Sequence, residues 1–460
     1  MPAVTDRPLD ADLLRRHDVA GPRYTSYPTA DRFVEAHQGA QHLQALRQRG
    51  HGQPLSVYVH IPFCEQLCYY CACNKVITKH HERAAPYLTA LDAEMDLVVD
   101  ALGGPAPASQ LHLGGGSPTF LTDDELSALM VSLRKRFKLL PGAELSVEVD
   151  PRTVDAVRLA HLRALGFNRL SFGVQDFDPA VQKAVHRVQP LEQVAALMQS
   201  ARELGFSSTN VDLIYGLPLQ TPASFARTIA QVAGLRPDRI AMYAYAHLPQ
   251  HFKPQRRIVA ELLPPAGDKL AMLSSAISAL LGEGYTYIGM DHFALPDDPL
   301  AVAKRQGLLH RNFQGYSTQP DCDLVGLGVS AISRIGATYA QNAKTIAEYE
   351  DALRQHQLPV QRGLPLTRDD LLRRAVIMAL MCQGRLEFES IAASYLVDVQ
   401  RYFAPELERL AQLEAQGLVV LEPGAIQVTP LGWYFVRGVA MVFDRYLQAD
   451  ASRERFSKII

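Results

Sequence analysis

Four cysteines fall close together in the loop after the first apolar run of the chain. They are Cys64, Cys68, Cys71 and Cys73, in the order C-x3-C-x2-C-x-C. Thiolates are soft ligands that select iron–sulfur clusters or zinc. Structural zinc sites commonly combine two separated Cys/His pairs, and no second pair follows this loop. The spacing therefore favours an iron–sulfur cluster over a zinc knuckle.

The number of thiolates that bind decides what such a cluster can do. Three cysteines can each hold one iron of a 4Fe–4S cube and leave the fourth iron without a protein ligand. A fourth ligand at Cys73 would close the cluster and restrict it to electron transfer. Cys322 and Cys382 stand alone in apolar surroundings and are predicted to be small buried side chains.

The cysteine loop is one connection in a chain that alternates between two kinds of segment. Short β-like runs alternate with amphipathic stretches from residue 54 onward, which predicts βα units around a mostly parallel sheet. Helices are predicted at 121–137, with Thr122 as the cap, and at 190–205. The predicted strands are 55–60, 109–115, 144–150, 169–175, 209–216 and 238–247.

The regions before and after these units have a different pattern. Residues 1–53 include PRYTSYPT (22–29), which is too polar and turn-rich for a core element and is interpreted as an arm or lid. Residues 54–364 are assigned to the βα domain and residues 365–460 to a helical domain. The latter has two helices followed by the strand-like segment 425–446, an order that resembles a winged-helix domain.

Charge and composition exclude several classes of function. The 460 residues carry 46 basic and 48 acidic side chains, a net charge of -2, so neither nucleic acid nor an anionic membrane is expected as a partner. The N-terminus lacks the apolar core of a signal peptide, and six cysteines are too few for a disulfide scaffold. We therefore expect a cytoplasmic protein in which a local basic site meets any anionic substrate.

The C-x3-C-x2-C loop after the first strand resembles the radical S-adenosylmethionine (SAM) superfamily. The resemblance implies an α/β fold in which six βα units form an open (β/α)6 partial barrel. It also implies that Cys64, Cys68 and Cys71 bind the cluster, while Cys73 is functional without being a ligand. The open iron would chelate SAM, and one electron would release a 5'-deoxyadenosyl radical.

Further segments narrow the resemblance to one family, the oxygen-independent coproporphyrinogen III oxidases. That family converts the ring A and B propionates of coproporphyrinogen III to vinyl groups, which gives protoporphyrinogen IX without oxygen. The segments that carry the likeness are PRYTSYPT, YVHIPFC (58–64), CNK (73–75), GGGSPT (114–119), EVDPR (148–152), GFNRLSFGVQDF (166–177), VDLIYGLP (211–218), GMDHFA (289–294) and HRNFQGYST (310–318).

Carried over residue by residue, the resemblance implies two bound SAM molecules. The cluster-bound molecule would contact Tyr58, Gly115, Glu148 and Ile332. The second would contact Tyr70, Gly116, Ser117, Gln175, Arg187, Asp212 and Ala246. Residue types leave alternatives open, because a carboxylate at a strand end can cap the next helix and a glycine run can be a tight turn. His60 and His112 are given no role, whereas His292 and His310 are expected in the pocket.

Two other functions remain compatible with the cysteine loop. Some paralogues with this loop resemble haem-binding chaperones, and a radical SAM methyltransferase would share the loop as well. Cys73, CNK and PRYTSYPT favour the oxidase. The partners expected on this interpretation are coproporphyrinogen III and an electron donor such as a flavodoxin or ferredoxin system, and we expect a monomer.

Overall fold

The computed structural model describes residues 13, 16, 17, 19–50, 52–313, 315–319 and 321–449. Its centre is a sheet of twelve strands among these residues. Six of them pair in parallel, each with the next along the chain. They are β1 (Leu55–Ile61), β2 (Ala106–Gly115), β3 (Phe137–Val149), β4 (Arg169–Gln175), β5 (Ser208–Tyr215) and β6 (Arg239–Ala244).

Further strands extend both sides of this parallel core. Beyond β6 come His292–Ala294 and Thr286–Gly289, both antiparallel. On the other side Leu324–Leu327 pairs in parallel with β1. The antiparallel strands Ile332–Ile335, Thr338–Asn342 and Val360–Pro365 follow it. Since β1 and β6 are not neighbours in the described strand order, the sheet stays open, which confirms the predicted open (β/α) architecture.

A helix follows each parallel strand, because neighbouring parallel strands need a long crossover connection. The predicted helix at 121–137 begins at Asp123, where Thr122 accepts from the Glu125 amide at 3.2 Å and Glu125 accepts from the Thr122 amide at 2.8 Å. In chain order the helices are α1 (Ala84–Ala101), α2 (Asp123–Arg136), α3 (Ala156–Ala164), α4 (Leu191–Glu203), α5 (Pro222–Leu235) and α6 (Ala266–Gly282). The other helices before the C-terminal region are Gly39–Gln48, Pro179–Ala184, Pro299–Gln306 and Ile346–Arg354.

The segment 22–29 contributes to the core, contrary to the sequence-based prediction. Tyr24 is 1% exposed and Tyr27 is fully buried. Both can be buried because their hydroxyls find partners: Tyr24 donates to Asp444 at 3.0 Å, and the Tyr27 hydroxyl accepts from the Arg445 amide at 3.3 Å. These polar aromatic side chains therefore join the N-terminal segment to the C-terminal region.

The C-terminal region combines helices with a small antiparallel sheet. Its helices are Arg368–Gln383, Phe388–Tyr395, Val399–Tyr402, Ala404–Glu414, Val436–Met441 and Arg445–Ala449. The sheet contains Arg385–Glu387, Ala425–Val428 and Val419–Glu422. The prediction of a strand-like segment at 425–446 is wrong beyond Val428, because an apolar run buried on several sides has the same pattern in a helix as in a strand.

No helix among the described residues is both long enough and apolar enough to cross a lipid bilayer.

Candidate active site

The cysteine loop is fastened at both ends. The short strand Phe63–Cys64 follows β1 and pairs in parallel with Val76–Ile77, where the Thr78 amide donates to the Cys64 carbonyl at 2.9 Å. Cys68 is buried, Cys64 and Cys71 are half-buried, and Cys73 lies at the exposed edge. The pKa of Cys64 is raised to about 12, first by burial and then by the nearby Cys71 and Cys68. The three thiols are thus close enough to interact electrostatically.

Two arginines meet the sulfur of Cys68. Arg187 donates to it at 3.4 Å and Arg152 at 3.5 Å. Both also bind Asp150, Arg152 at 2.7 Å and Arg187 at 3.2 Å. Burial alone would raise the pKa of Asp150, but the two guanidinium groups outweigh it and hold that pKa below its ordinary value. Two guanidinium groups therefore lie beside the Cys68 sulfur, where they can offset the negative charge of a bound cluster.

Cys71 and Cys73 form an unequal pair. A hydrogen bond from Cys73 lowers the pKa of Cys71 to about 5, against the effect of burial and with help from Lys75. Lys75 also donates to the Cys71 carbonyl at 3.1 Å. The same hydrogen bond raises the pKa of Cys73. The two thiol groups are therefore close enough to share a hydrogen bond.

This donor set fits a 4Fe–4S cluster. Three thiol groups on one loop supply soft ligands, and the cations at Cys68 and Lys75 offset the negative charge that three thiolates would bring. Cys322 and Cys382 lie elsewhere, and as predicted Cys382 is buried, while Cys322 is only half-buried.

The glycine run after β2 brings two loops into contact. A Cβ at Gly116 would lie 2.6 Å from the Pro62 carbonyl oxygen, so only glycine fits there. Gly115 has a φ of 120°, and its amide donates to Glu148 at 3.1 Å. Gly115 and Gly116 thus let the turn after β2 pack closely against the backbone around Pro62. This agrees with the interpretation of the glycine run as a tight turn.

A cavity of about 470 Å³ opens beside this turn on the inner face of the sheet. Successive parallel strands contribute polar side chains to it at every second position, which is the spacing of one face of a strand. Those from the parallel strands are Tyr58, His60, Gln110, His112, Glu144, Ser146, Glu148, Arg169, Ser171, Asn210, Asp212, Arg239 and Tyr243.

The cavity gathers some of the residues that the family resemblance implied and leaves others outside. Tyr58, Glu148, Asp212 and Ile332 line it, while the Gly115 amide lies behind Glu148. Ser117 instead lines a small cleft with Cys64, Asp150 and Arg152. The others are Tyr70 and Arg187 near Cys68, Gly116 against the cysteine loop, Gln175 at the end of β4 and Ala246 just after β6.

Glu148 and Asp212 face the cavity and do not cap helices. The helix caps that follow their strands are Asp150, Asp155 and Thr221. Asp212 accepts from Asn210 at 2.9 Å and from Ser171 at 3.1 Å. Burial, and then the charge of Glu148, raise the pKa of Asp212 to about 6. These two carboxylates can therefore receive hydrogen bonds from a ligand.

Sequence reasoning gave no role to two histidines that line the cavity. His112 stacks on Tyr58 with ring centroids 5.8 Å apart and shares a hydrogen bond with Ser146 at 2.6 Å, while His60 shares one with the Tyr58 hydroxyl at 3.0 Å. The alternation of polar residues within apolar strands was the signal that could have found them. His292 lines the cavity as predicted, but His310 does not.

Comparisons with known proteins agree with this geometry. The model of the radical SAM superfamily matches residues 58–232, and that of the HemN C-terminal domain matches residues 366–435. The chain is 52% identical to the oxygen-independent coproporphyrinogen III oxidase of Pseudomonas aeruginosa and 49% identical to that of Escherichia coli strain K12, in each case over 98% of both chains.

A solved structure extends the match to the fold. The coproporphyrinogen III oxidase HemN from Escherichia coli, described as a radical SAM enzyme, superimposes with a TM-score of 0.91 at 49% identity, over 96% of this chain and all of that one. These matches imply a 4Fe–4S cluster and SAM as cofactors. The chain therefore belongs to the oxygen-independent coproporphyrinogen III oxidase family of radical SAM proteins.

Proposed function

We propose that this protein decarboxylates the ring A and B propionates of coproporphyrinogen III to vinyl groups without oxygen, giving protoporphyrinogen IX. The observation that carries the proposal is the position of the cavity, which opens beside the turn that packs on the cysteine loop. Its volume lies within the range of ligand-binding cavities in proteins. The names of its full-length relatives support the same reaction.

Cys64, Cys68 and Cys71 would hold the cluster, with Cys73 as hydrogen-bond donor to Cys71. When bound, the cluster and SAM would supply the 5'-deoxyadenosyl radical that removes a propionate hydrogen atom. Loss of CO2 and of one further electron to an electron acceptor then leaves the vinyl group. For cluster-bound SAM we propose Tyr58, Gly115, Glu148 and Ile332, three of which share the cavity. For a second SAM we propose Tyr70, Gly116, Ser117, Gln175, Arg187, Asp212 and Ala246.

The cavity side chains have separate tasks in this scheme. Glu148 and Asp212 accept hydrogen bonds from ammonium or ribose hydroxyl groups. With its pKa near 6, Asp212 is mostly ionised at neutral pH and can do so. His112 and Tyr58 stack on each other and fix one wall. Substrate that fills the remaining volume would exclude water from the reacting carbon.

The wider organisation belongs to the proposal as well. We infer an N-terminal arm (1–53), a radical SAM domain (54–364) and a helical domain (365–460). A monomer in the cytoplasm would receive electrons from a flavodoxin or ferredoxin system, without nucleic acid or membrane as partner.

Anaerobic reconstitution tests the proposed chemistry. We expect the electron paramagnetic resonance spectrum of the reduced cluster to shift when SAM is added, because SAM occupies the open iron. With SAM, reductant and coproporphyrinogen III, we expect two molecules of CO2 per substrate. Haem binding without CO2 release would instead indicate a haem carrier, and transfer of a methyl group a methyltransferase.

Two cysteine variants make the test specific. Cys71→Ser should lose the cluster, whereas Cys73→Ser should keep a cluster whose spectrum still responds to SAM. A cluster that is lost in both variants, or zinc in the purified protein, would contradict the proposed ligand set.

A further inference from the structure

Three arginines from distant parts of the chain meet behind one wall of the cavity. Arg23 comes from the N-terminal segment, Arg311 from the hairpin formed by His310–Asn312 and Gly315–Ser317, and Arg437 from the helix Val436–Met441. The charges of Arg23 and Arg311 both act on Arg437 and, with burial, lower its pKa to about 9. We call these three residues the arginine cluster.

One carboxylate, Asp291, acts electrostatically on all three guanidinium groups. It forms an ion pair with Arg23. The other two arginines also bind main-chain carbonyls, Arg437 that of Pro22 at 3.1 Å and Arg311 that of Arg23 at 3.2 Å. Arg23 and Arg311 thus share the charge of this one carboxylate, so a further anion beside them would be favoured electrostatically.

Arg311 is the member of the arginine cluster whose hydrogen bonds are not all satisfied. Its side chain is buried, with the residue 4% exposed, yet its Nη1 has no hydrogen-bond partner in the described structure. Nδ1 of the neighbouring His292 also lacks a partner. Buried polar groups are nearly always paired in native proteins, so these two atoms indicate that a binding partner is missing.

Two members of the arginine cluster contact aromatic rings that line the cavity. The Arg311 guanidinium covers the Tyr316 ring at 4.6 Å, and the Arg23 guanidinium covers the Tyr243 ring at 5.0 Å. Both rings and His292 line the cavity. An anion at this wall would therefore be part of a ligand that already occupies the cavity.

We propose that Arg311, supported by Arg23, anchors a propionate carboxylate of the substrate at this wall. The inference rests on the proposed function, whose substrate carries four propionates. An arginine fork binds a carboxylate through two parallel hydrogen bonds, and the free Nη1 of Arg311 supplies one such donor. His292 supplies a neutral ring nitrogen beside it, since burial and Arg311 lower its pKa to about 3.

Binding to the reconstituted holoenzyme tests the anchor. The probes are coproporphyrinogen III, kept reduced under anaerobic conditions, which carries four carboxylates, and its tetramethyl ester, which has none. We expect Arg311→Met to weaken binding of the acid by about 10- to 100-fold and to leave binding of the ester unchanged, because only the acid offers an ion to the guanidinium. Arg311→Lys keeps the charge and should restore part of the lost affinity.

Controls separate the anchor from a structural role. Arg305→Met removes an exposed arginine from the helix Pro299–Gln306 and should change neither affinity. SAM cleavage without substrate should stay normal in Arg311→Met. If that variant does not fold, Arg23→Met, at a partly exposed side chain, gives the same comparison.

Each remaining outcome has one meaning. Equal binding of the acid by parent and Arg311→Met, or equal losses for acid and ester, would overturn the anchor. A parent protein that binds neither probe but cleaves SAM would instead refute the proposed substrate.

Discussion

The cysteine loop and the arginine cluster both contain buried arginines, but the hydrogen-bond partners of these arginines differ. At the loop, Arg152 and Arg187 share Asp150 and both reach the Cys68 sulfur. In the arginine cluster, three guanidinium groups gather around Asp291, and a nitrogen of Arg311 has no partner among the described residues.

The difference separates a site that the chain completes from one that needs a ligand. A buried charge is stable only when it is paired and hydrogen-bonded. At the cysteine loop, Asp150 and the Cys68 sulfur meet this condition. The two arginines there are therefore paired before a cluster binds. The arginine cluster meets it fully only when an anion binds, which suits a site for substrate.

Replacing Cys68 should have the largest effect of the variants that compare the two regions. In Cys68→Ser we expect SAM cleavage to fall by at least about a thousandfold, because the cluster loses a ligand and both arginines lose their hydrogen bond to its sulfur. Iron content and 5'-deoxyadenosine formation measure the result. Cys322→Ser, in a half-buried cysteine away from the loop, is the control, and normal iron content in Cys68→Ser would contradict the assignment.

Lys304 is a buried cation that has neither an anion nor the cavity beside it among the described residues. It shows how much such a cation lowers the free energy of unfolding. It donates to the Tyr287 carbonyl and lies 4.5 Å from the Trp433 ring, and burial lowers its pKa to about 7. Between pH 7 and about 10.5 the unfolded chain binds the proton that the folded protein has released. The free energy of unfolding should therefore rise with pH in this window, by on the order of 3 to 5 kcal/mol.

The variant Lys304→Met removes this dependence. Thermal unfolding of parent and variant from pH 6.5 to 10.5 measures it, and their difference should shrink as pH rises. Lys183→Met, at an exposed lysine, should run parallel to the parent. A constant difference between Lys304→Met and the parent would show that Lys304 stays charged in the folded protein.

At Asp212 the free energy of unfolding should change with pH in the opposite direction, because Asp212 is a buried acid near another acid. Its pKa is raised from 3.8 to about 6, so the folded protein holds a proton that the unfolded chain releases. The free energy of unfolding should fall as pH rises from about 4 to 6, by up to about 3 kcal/mol, and Asp212→Asn should lack this fall. Thermal midpoints across that range, with exposed Asp100→Asn as control, decide the matter; identical slopes in parent and Asp212→Asn would refute the shift.

The sequence predicted the parts of the site that depend on local pattern. The cysteine spacing, the capped helix at Thr122 and the order of the βα units follow from neighbouring residues, and the structure places them as predicted. Strand β3 is the least accurate, since it begins at Phe137 and not at residue 144.

The parts that the sequence did not predict depend on contacts across the chain. Tyr24 looks like a loop residue until Asp444, 420 positions away, accepts its hydroxyl. Arg23, Arg311 and Arg437 are single arginines in unrelated segments, and no local pattern groups them. The winged-helix-like end was predicted in outline, but burial of Trp433 and its neighbours turned a strand-like run into helix.

The smallest predicted effect concerns Arg152, whose motif EVDPR was noticed while only Glu148 received a role. Its guanidinium lies 3.5 Å from the Cys68 sulfur, so it favours the more negative, reduced form of a bound cluster. We expect Arg152→Gln to lower the midpoint potential by about 60 mV, a tenfold change for one electron. A redox titration followed by electron paramagnetic resonance measures it, with exposed Arg227→Gln as control. Since Arg187 still donates to the same sulfur, the cluster should assemble normally in this variant. An unchanged potential would mean that Arg152 only positions Asp150. In that case Arg187 alone would offset the negative charge at the Cys68 sulfur.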